Sequence, residues 1–336
     1  MKRPRVFVAR RLPGRALEYL AEHADARVWP AEMPPTAEEL AAEIAGCDGL
    51  LSLLTDRVDE ALLGRTPELL VVSNMATGFD NVDVAAASER GILVTRTPGV
   101  LAETTADFAF ALLLAAARRV VEGDRYTREG RWKTWGPEVL LGQDVYGATL
   151  GIIGMGGVGS EVAKRAPGFG MRILYTSRTR KPDIERETGA EFRPLEEVLR
   201  ESDFVTLHTP LTADTRHMLN ADSLRTMKRT AVLVNTGRGG LVDQRALYEA
   251  LRDGVIAAAA LDVTDPEPML PDDPLLKLNN VIVTPHIASA SVATRSRMAM
   301  LAAENLVAAL RGEIPANAVN PEVADRWRER VARAFA

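Results

Sequence analysis

Short apolar runs alternate along the whole chain with longer amphipathic stretches, the pattern of βα units wound around parallel strands. In the first third, Arg5–Ala9, Gly49–Leu53, Leu69–Ser73 and Ile92–Thr95 predict strands, and Gly14–Glu22 predicts the helix after the first of them. The rhythm changes after Pro98 and Gly99. Thr104–Arg119 has few polar positions and predicts one long helix buried between layers or in a subunit interface. Arg125–Asp144, with Trp132, Trp135, Gly136 and Pro137, predicts irregular chain. From Thr149 a second series begins. The runs LGIIG, MRILYTS, FVTLHT, AVLVNT, IAAAALDV and NVIVTPH are strand candidates for one complete nucleotide-binding sheet, and Ser291–Gly312 predicts a last helix. The fold class is therefore α/β with doubly wound parallel sheets. No internal repeat or low-complexity segment interrupts the pattern.

At 336 residues the chain suits two domains rather than one core. A net charge of −5 leaves no basic surplus for phosphate backbones, so nucleic acid is not an expected partner. Cys47 is the one cysteine, which excludes an intramolecular disulfide and a cysteine-based metal site; no metal is expected. The N-terminal apolar run VFVA is too short for a signal peptide, and the stretch around Phe108–Ala117 falls short of a membrane span. These features predict a cytoplasmic protein with no membrane partner.

The first chemical signal is Gly154-Met155-Gly156-Gly157-Val158-Gly159, which matches G-x-G-x-x-G. Alone that pattern is weak. Here it follows the strand LGIIG and opens the helical stretch SEVAKRA, the context its mechanism requires. Gly154 makes the tight turn, Gly156 lets the backbone approach a pyrophosphate, and Gly159 permits close helix–strand packing. The helix N-terminus offers free N–H groups to the phosphates. The next strand, MRILYTS, ends where an NAD site would carry an acidic residue. Ser177, Arg178 and Thr179 stand there instead, followed by Arg180 and Lys181. Without a carboxylate for the ribose 2′-hydroxyl, and with cations nearby, NADP(H) is the expected cofactor and NAD(H) the alternative.

Ligands of doubly wound sheets bind at the carboxyl ends of the strands. Three such ends carry matching groups: Arg238 after AVLVNT, Glu267 in the TDPEP that follows IAAAALDV, and His286 after NVIVTP. Singly, each reads as well as a surface charge or a structural imidazole. Jointly they supply what hydride transfer to a keto acid needs. An Arg clamps the carboxylate bidentately. A His protonates the carbonyl oxygen, and a carboxylate orients that His and favours its charged form.

In this order, GMGGVG, NTGRGGLVD, ALDVTDPEP and TPHIAS resemble the D-isomer-specific 2-hydroxyacid dehydrogenases, over roughly residues 1–320. The resemblance implies that Arg238, Glu267 and His286 are the catalytic set. It puts Asp262 and Thr105 beside the nicotinamide, and it adds Thr236, Gly237, Ile287 and Ala288 to the cofactor contacts. SNMATGFDNVD is similar to the family's substrate loop, whose backbone N–H groups, here Ala76, Thr77 and Gly78, would hold the substrate carboxylate; Leu53 would line the same pocket. SLLTDRVDEALL, RWKTWGP and LYTSRTRK look most like glyoxylate/hydroxypyruvate reductases, and Trp135 matches an aromatic that reaches a neighbouring subunit's substrate site. The implied architecture is a Rossmann-type cofactor domain, 99–286, inserted into a flavodoxin-like substrate domain, 1–98 plus 287–336. Two crossings of one hinge would then let a cleft close. The implied assembly is a homodimer, and the implied partner is a small 2-oxo acid reduced by NAD(P)H. Other activities compatible with the resemblance are D-lactate, 3-phosphoglycerate, formate and phosphite oxidation. A reading from another class is a non-catalytic dinucleotide-sensing binding protein, as in family members that act as transcriptional corepressors; a turnover assay separates the two.

Overall fold

A computed structural model describes residues 2–336. The chain forms two compact units, one running through Leu101 and resuming over Ala290–Ala336, the other Ala102–Ser289. The first unit opens with β1 (Arg5–Val8), α1 (Ala16–His23), β2 (Asp25–Val28), α2 (Ala37–Ile44) and β3 (Gly49–Ser52). It continues through α3 (Glu60–Gly64), β4 (Val71–Asn74), α4 (Val84–Glu89) and β5 (Leu93–Thr95). All pairings are parallel, and the order β2-β1-β3-β4-β5 is the flavodoxin-like winding. Successive residues of a strand face opposite layers. Val6 and Val8 thus join one cluster with Leu20, Leu51 and Trp327, while Phe7 joins another with Ile44, Leu50 and Val72.

The second unit starts with α5 (Ala102–Ala117), α6 (Val120–Arg128), β6 (Thr149–Ile153), α7 (Gly157–Arg165) and β7 (Arg172–Thr176). It goes on with α8 (Pro182–Thr188), β8 (Glu191–Phe192), α9 (Leu195–Glu201), β9 (Phe204–Leu207), α10 (Ala221–Thr226) and β10 (Val232–Asn235). α11 (Gln244–Arg252), β11 (Ala258–Leu261) and β12 (Val281–Val283) complete it. The order β12-β11-β10-β9-β6-β7-β8, again all parallel, reverses direction between β6 and β9. That reversal is the topological switch point at which such sheets bind ligands. Leu150, Ile152 and Tyr175 pack on one face with Phe110 of α5, and Ile153, Leu174 and Leu207 pack on the other with Leu247.

The chain then returns to the first unit through α12 (Val292–Leu310) and α13 (Ala324–Phe335). Ser73 donates to the Ala302 carbonyl at 2.8 Å, and the buried Asn320 accepts from the Val94 amide at 2.8 Å. These bonds tie the C-terminal segment to the strands laid down first. The expected doubly wound α/β class is what the structure has. Several elements differ from the pattern reading. β2 and β8 are short edge strands, and α13 is a helix beyond the last one predicted. The single helix predicted over Thr104–Arg119 ends at Ala117, because Arg119 turns into the left-handed region (φ 53°) and starts α6. Among the described residues no helix is long and apolar enough to cross a membrane, and no cluster of His, Cys, Asp and Glu is placed to hold a metal.

Candidate active site

Because every strand of the second sheet is parallel, the ends of β6, β7, β9, β10, β11 and β12 open on one edge. At the end of β6, Gly154 takes φ 98°, and a Cβ there would lie 2.6 Å from the backbone of His208 and Thr209. A Cβ on Gly159 would lie 2.0 Å from the Gly154 carbonyl oxygen, so the α7 N-terminus seats against the strand only without a side chain. Gly156, by contrast, has nothing within 4 Å of where a Cβ would be. The loop is thus tight at its two ends and open at its middle, as a cradle for a pyrophosphate requires. Met155 is buried, Val158 half-buried and Gly157 exposed.

After β7, Ser177 donates to the Thr179 carbonyl at 2.6 Å. Exposed Arg178 has no hydrogen bond or ion pair among the described residues, whereas Arg180 is clamped by Glu185 at 2.8 Å. Glu185 also accepts from the Tyr175 hydroxyl at 2.6 Å. The bonds from Arg180 and then Tyr175 hold its carboxyl below the usual range.

His208 follows β9, inside the run FVTLHT, where the sequence gives it no site motif. Its Nε2 pairs with Thr206 Oγ1 at 2.8 Å and its Nδ1 lies 3.4 Å from Thr236 Oγ1. Burial pushes its pKa down to about 3. A folded value below the ordinary 6.5 means the unfolded chain takes up the proton first. The stabilisation is therefore present above about pH 6.5 and is lost as pH falls towards 3. The melting temperature of His208→Gln is expected to fall less between pH 7 and pH 4 than that of the wild type; equal slopes would remove His208 from the account.

The remaining three strand ends interlock. Asn235 accepts from the Gly237 amide at 3.0 Å and donates to the Arg238 carbonyl at 2.9 Å, shaping the turn that presents Arg238. A Cβ on Gly239 would lie 1.9 Å from the Thr264 carbonyl oxygen, so this turn presses on the segment after β11. There Asp262, 1% exposed, accepts from Thr284 Oγ1 at 2.6 Å and from the amides of Ile287 at 2.9 Å and Ala288 at 2.8 Å. The resemblance implies a nicotinamide contact for Asp262; in the structure its carboxylate organises the chain around His286. His286 itself has φ 53° and donates its amide to the carbonyls of Asp262 and Thr284. Its Nδ1 lies 2.5 Å from Glu267 Oε1, with both side chains partly exposed. Thr105 and Thr236 are buried on α5 and after β10.

In the first unit, Leu53 follows β3 and Ala76, Thr77 and Gly78 follow β4, at the carboxyl edge of that sheet. The three loop amides are not equivalent. That of Ala76 donates to the Asn74 carbonyl at 2.8 Å, while those of Thr77 and Gly78 have no partner among the described residues. The buried Asp56 accepts from the Leu53 amide at 2.7 Å, and Asn81 donates to the carbonyls of Leu53 and Asp56. Asp56, Asn74 and Asn81 therefore shape this loop; they lie within the runs SLLTDRVDEALL and SNMATGFDNVD, where the sequence alone does not distinguish them from their neighbours. Trp135, 80% exposed, lies in the second unit beyond α6.

Residues 110–288 match the model of the D-isomer specific 2-hydroxyacid dehydrogenase, NAD binding domain. The chain is 59% identical over 322 residues to the glyoxylate reductase of Korarchaeum cryptofilum, covering 96% of this chain and 97% of that one. A crystal structure of a protein from Thermus thermophilus superposes with a TM-score of 0.89 at 51% identity, over 94% of this chain and 99% of that one. The NADPH-dependent glyoxylate/hydroxypyruvate reductase of Sinorhizobium meliloti, in complex with NADP and malonate, superposes with a TM-score of 0.84 at 36% identity, over 95% and 97%.

Proposed function

The chain belongs to the D-isomer specific 2-hydroxyacid dehydrogenase family and is an NAD(P)-dependent dehydrogenase, and from that premise we propose that it reduces glyoxylate to glycolate and hydroxypyruvate to D-glycerate with NADPH. The observation that carries the reading is the 2.5 Å pair of His286 and Glu267 on the same sheet edge as Arg238 and the open Gly156 loop. The nicotinamide, when bound, supplies the hydride. In the second unit Arg238 is the group that clamps the substrate carboxylate; in the first unit the unpartnered amides of Thr77 and Gly78 are the candidate donors to a carboxylate. Glu267 holds Nδ1 of His286, so the proton for the carbonyl oxygen leaves from Nε2. Asp262 and Asn235 act as positioning residues for the two turns. The test is loss of absorbance at the nicotinamide band with a panel of 2-oxo acids. Glyoxylate and hydroxypyruvate are expected to lead, and an absence of turnover with every oxo acid would favour a dinucleotide-sensing protein instead.

We also propose a homodimer built on the second unit. Beyond α5, Trp132 (63% exposed), Trp135, Val120 and Leu141 lie open, and Leu141 borders a hollow of about 300 Å³ lined also by Arg119, Val121, Gly142 and Ile282. That much exposed apolar surface on one segment is the mark of an association face. Light scattering at micromolar concentration is expected to give twice the chain mass of 36.5 kDa; a monomer would refute the assembly.

A further inference from the structure

α13 carries Arg326, Arg330 and Arg333 at a spacing that puts them on one side, while Trp327 and Val331 are buried on the other. The three arginines line a hollow of about 460 Å³ whose opposite wall includes Pro67 and Arg90. Arg90 is paired with Glu60 at 3.3 Å and Arg333 with Glu329 at 3.4 Å. The other two have no carboxylate. Half-buried Arg330 donates to the carbonyls of Arg90 at 2.7 Å, Gly91 at 3.1 Å and Pro67 at 2.5 Å, which fixes its fork as part of the wall. Arg326 has no hydrogen bond or ion pair among the described residues. Its stem lies along Gly91, where a Cβ would come within 3.0 Å of Arg326 Cγ. Burial, and then the neighbouring charge of Arg326, push the pKa of Arg330 down. Two uncompensated like charges therefore share one concavity, on a chain whose net charge is −5.

The hollow lies where Pro67 leads into β4 and Gly91 into β5, the amino edge of the first sheet. The Ala76–Gly78 loop leaves β4 at the opposite end, so the concavity is not part of the substrate loop. We propose that this hollow is a binding site for a phosphate group, free or carried on a small metabolite. A phosphate group carries a charge of about −1.5 to −2 at neutral pH, which matches two guanidinium charges that have no carboxylate partner better than a single carboxylate does. Its tetrahedral oxygens can accept from the fork of Arg326, while Arg330, whose fork is held by three carbonyls, contributes charge from the wall.

The experiment is calorimetric titration of the NADP⁺-saturated enzyme, so that the Gly156 loop is filled, with inorganic phosphate at an ionic strength held constant with NaCl. One phosphate per chain is expected. Arg326→Gln should weaken it about tenfold or more, because Arg326 contributes charge to the hollow and makes no hydrogen bond or ion pair among the described residues that holds the fold. Arg328→Gln is the control, since Arg328 does not line the hollow and faces Asp325, and it should bind as the wild type does. Both variants should keep wild-type turnover. Binding of glucose 6-phosphate as well would assign the site to a phosphate monoester, and its exclusion would assign the site to the free ion. No saturable heat from phosphate, equal affinity in Arg326→Gln, or citrate binding as tightly as phosphate would overturn the proposal.

Discussion

Replacing His286 with alanine is expected to lower kcat for glyoxylate reduction by roughly 10²–10⁴-fold while the dissociation constant for NADP⁺ stays within a small factor of wild type. The size follows from the role: a positioned proton donor acts only as the carbonyl oxygen gains charge, so its loss falls on kcat more than on binding. The split matters because the backbone of His286 is itself structural. Its amide donates to the Asp262 and Thr284 carbonyls, and Asp262 holds the two amides that follow. If the substitution disturbed the turn rather than the chemistry, cofactor affinity should fall too, since Ile287 and Ala288, which the family resemblance implies as cofactor contacts, belong to the same loop. His286→Asn keeps a side chain that hydrogen-bonds but has no proton acidic enough to transfer, and it should be as slow as the alanine variant. Glu267→Gln preserves the shape of the 2.5 Å contact but removes the carboxylate that holds Nδ1 of His286, so kcat should fall while the dissociation constant for NADP⁺ stays close to wild type. Near-wild-type kcat in His286→Ala or in Glu267→Gln would dismantle the assignment.

Much of this was legible in the chain because buried parallel strands write themselves as continuous apolar runs. VLVN of β10 and AAAL of β11 are buried along nearly their whole length, and in a doubly wound sheet the residue after such a run stands at the ligand edge. That is why Arg238, just beyond β10, stands out in the sequence; His286 follows β12, an edge strand that is only half-buried but still apolar throughout. The edge strands β2 and β8 give no such signal. β2 reads DARV and alternates exposed with half-buried positions, and β8 is two residues long. The break between α5 and α6 was hidden because Arg119, not glycine, adopts the positive φ. Residues whose role lies in a hydrogen bond rather than in a motif are hidden as well. Asp56 matters because its carboxylate meets the Leu53 amide, and His208 because Thr206 and Thr236 flank it; neither relation is a spacing motif. A resemblance carries roles to positions but not how the hydrogen bonds are shared among them. The engaged amide of Ala76 beside the unpartnered ones of Thr77 and Gly78 is visible only in three dimensions.

The ratio of kcat/KM for NADPH over NADH is expected to favour NADPH by about ten- to a hundredfold, and to collapse in a Ser177→Asp, Arg178→Ala double variant. An acidic residue at the end of β7 would accept from the ribose 2′-hydroxyl and repel a 2′-phosphate. Ser177 does neither, and its hydroxyl is already donated to the Thr179 carbonyl at 2.6 Å. Arg180, the second cation of the cluster, is held by Glu185. The discrimination therefore falls on Arg178, which is exposed and has no competing partner among the described residues. A charge-assisted bond from its guanidinium to a phosphate is worth about 1.5–3 kcal/mol. At about 1.4 kcal/mol per factor of ten, that range sets the expected ratio. Because Arg178 is open to solvent, the ratio should also shrink as NaCl is raised, through screening that leaves NADH turnover nearly untouched. Arg178→Ala alone separates the contributions: it should remove most of the preference, and the added Ser177→Asp should then turn the enzyme towards NADH by supplying the missing acceptor. Glu185→Gln tests the clamp from the other side, since releasing Arg180 should strengthen the NADPH preference rather than weaken it. A wild-type ratio that favours NADH, or one that the double substitution leaves where it was, would show that the basic turn after β7 does not read the 2′-phosphate.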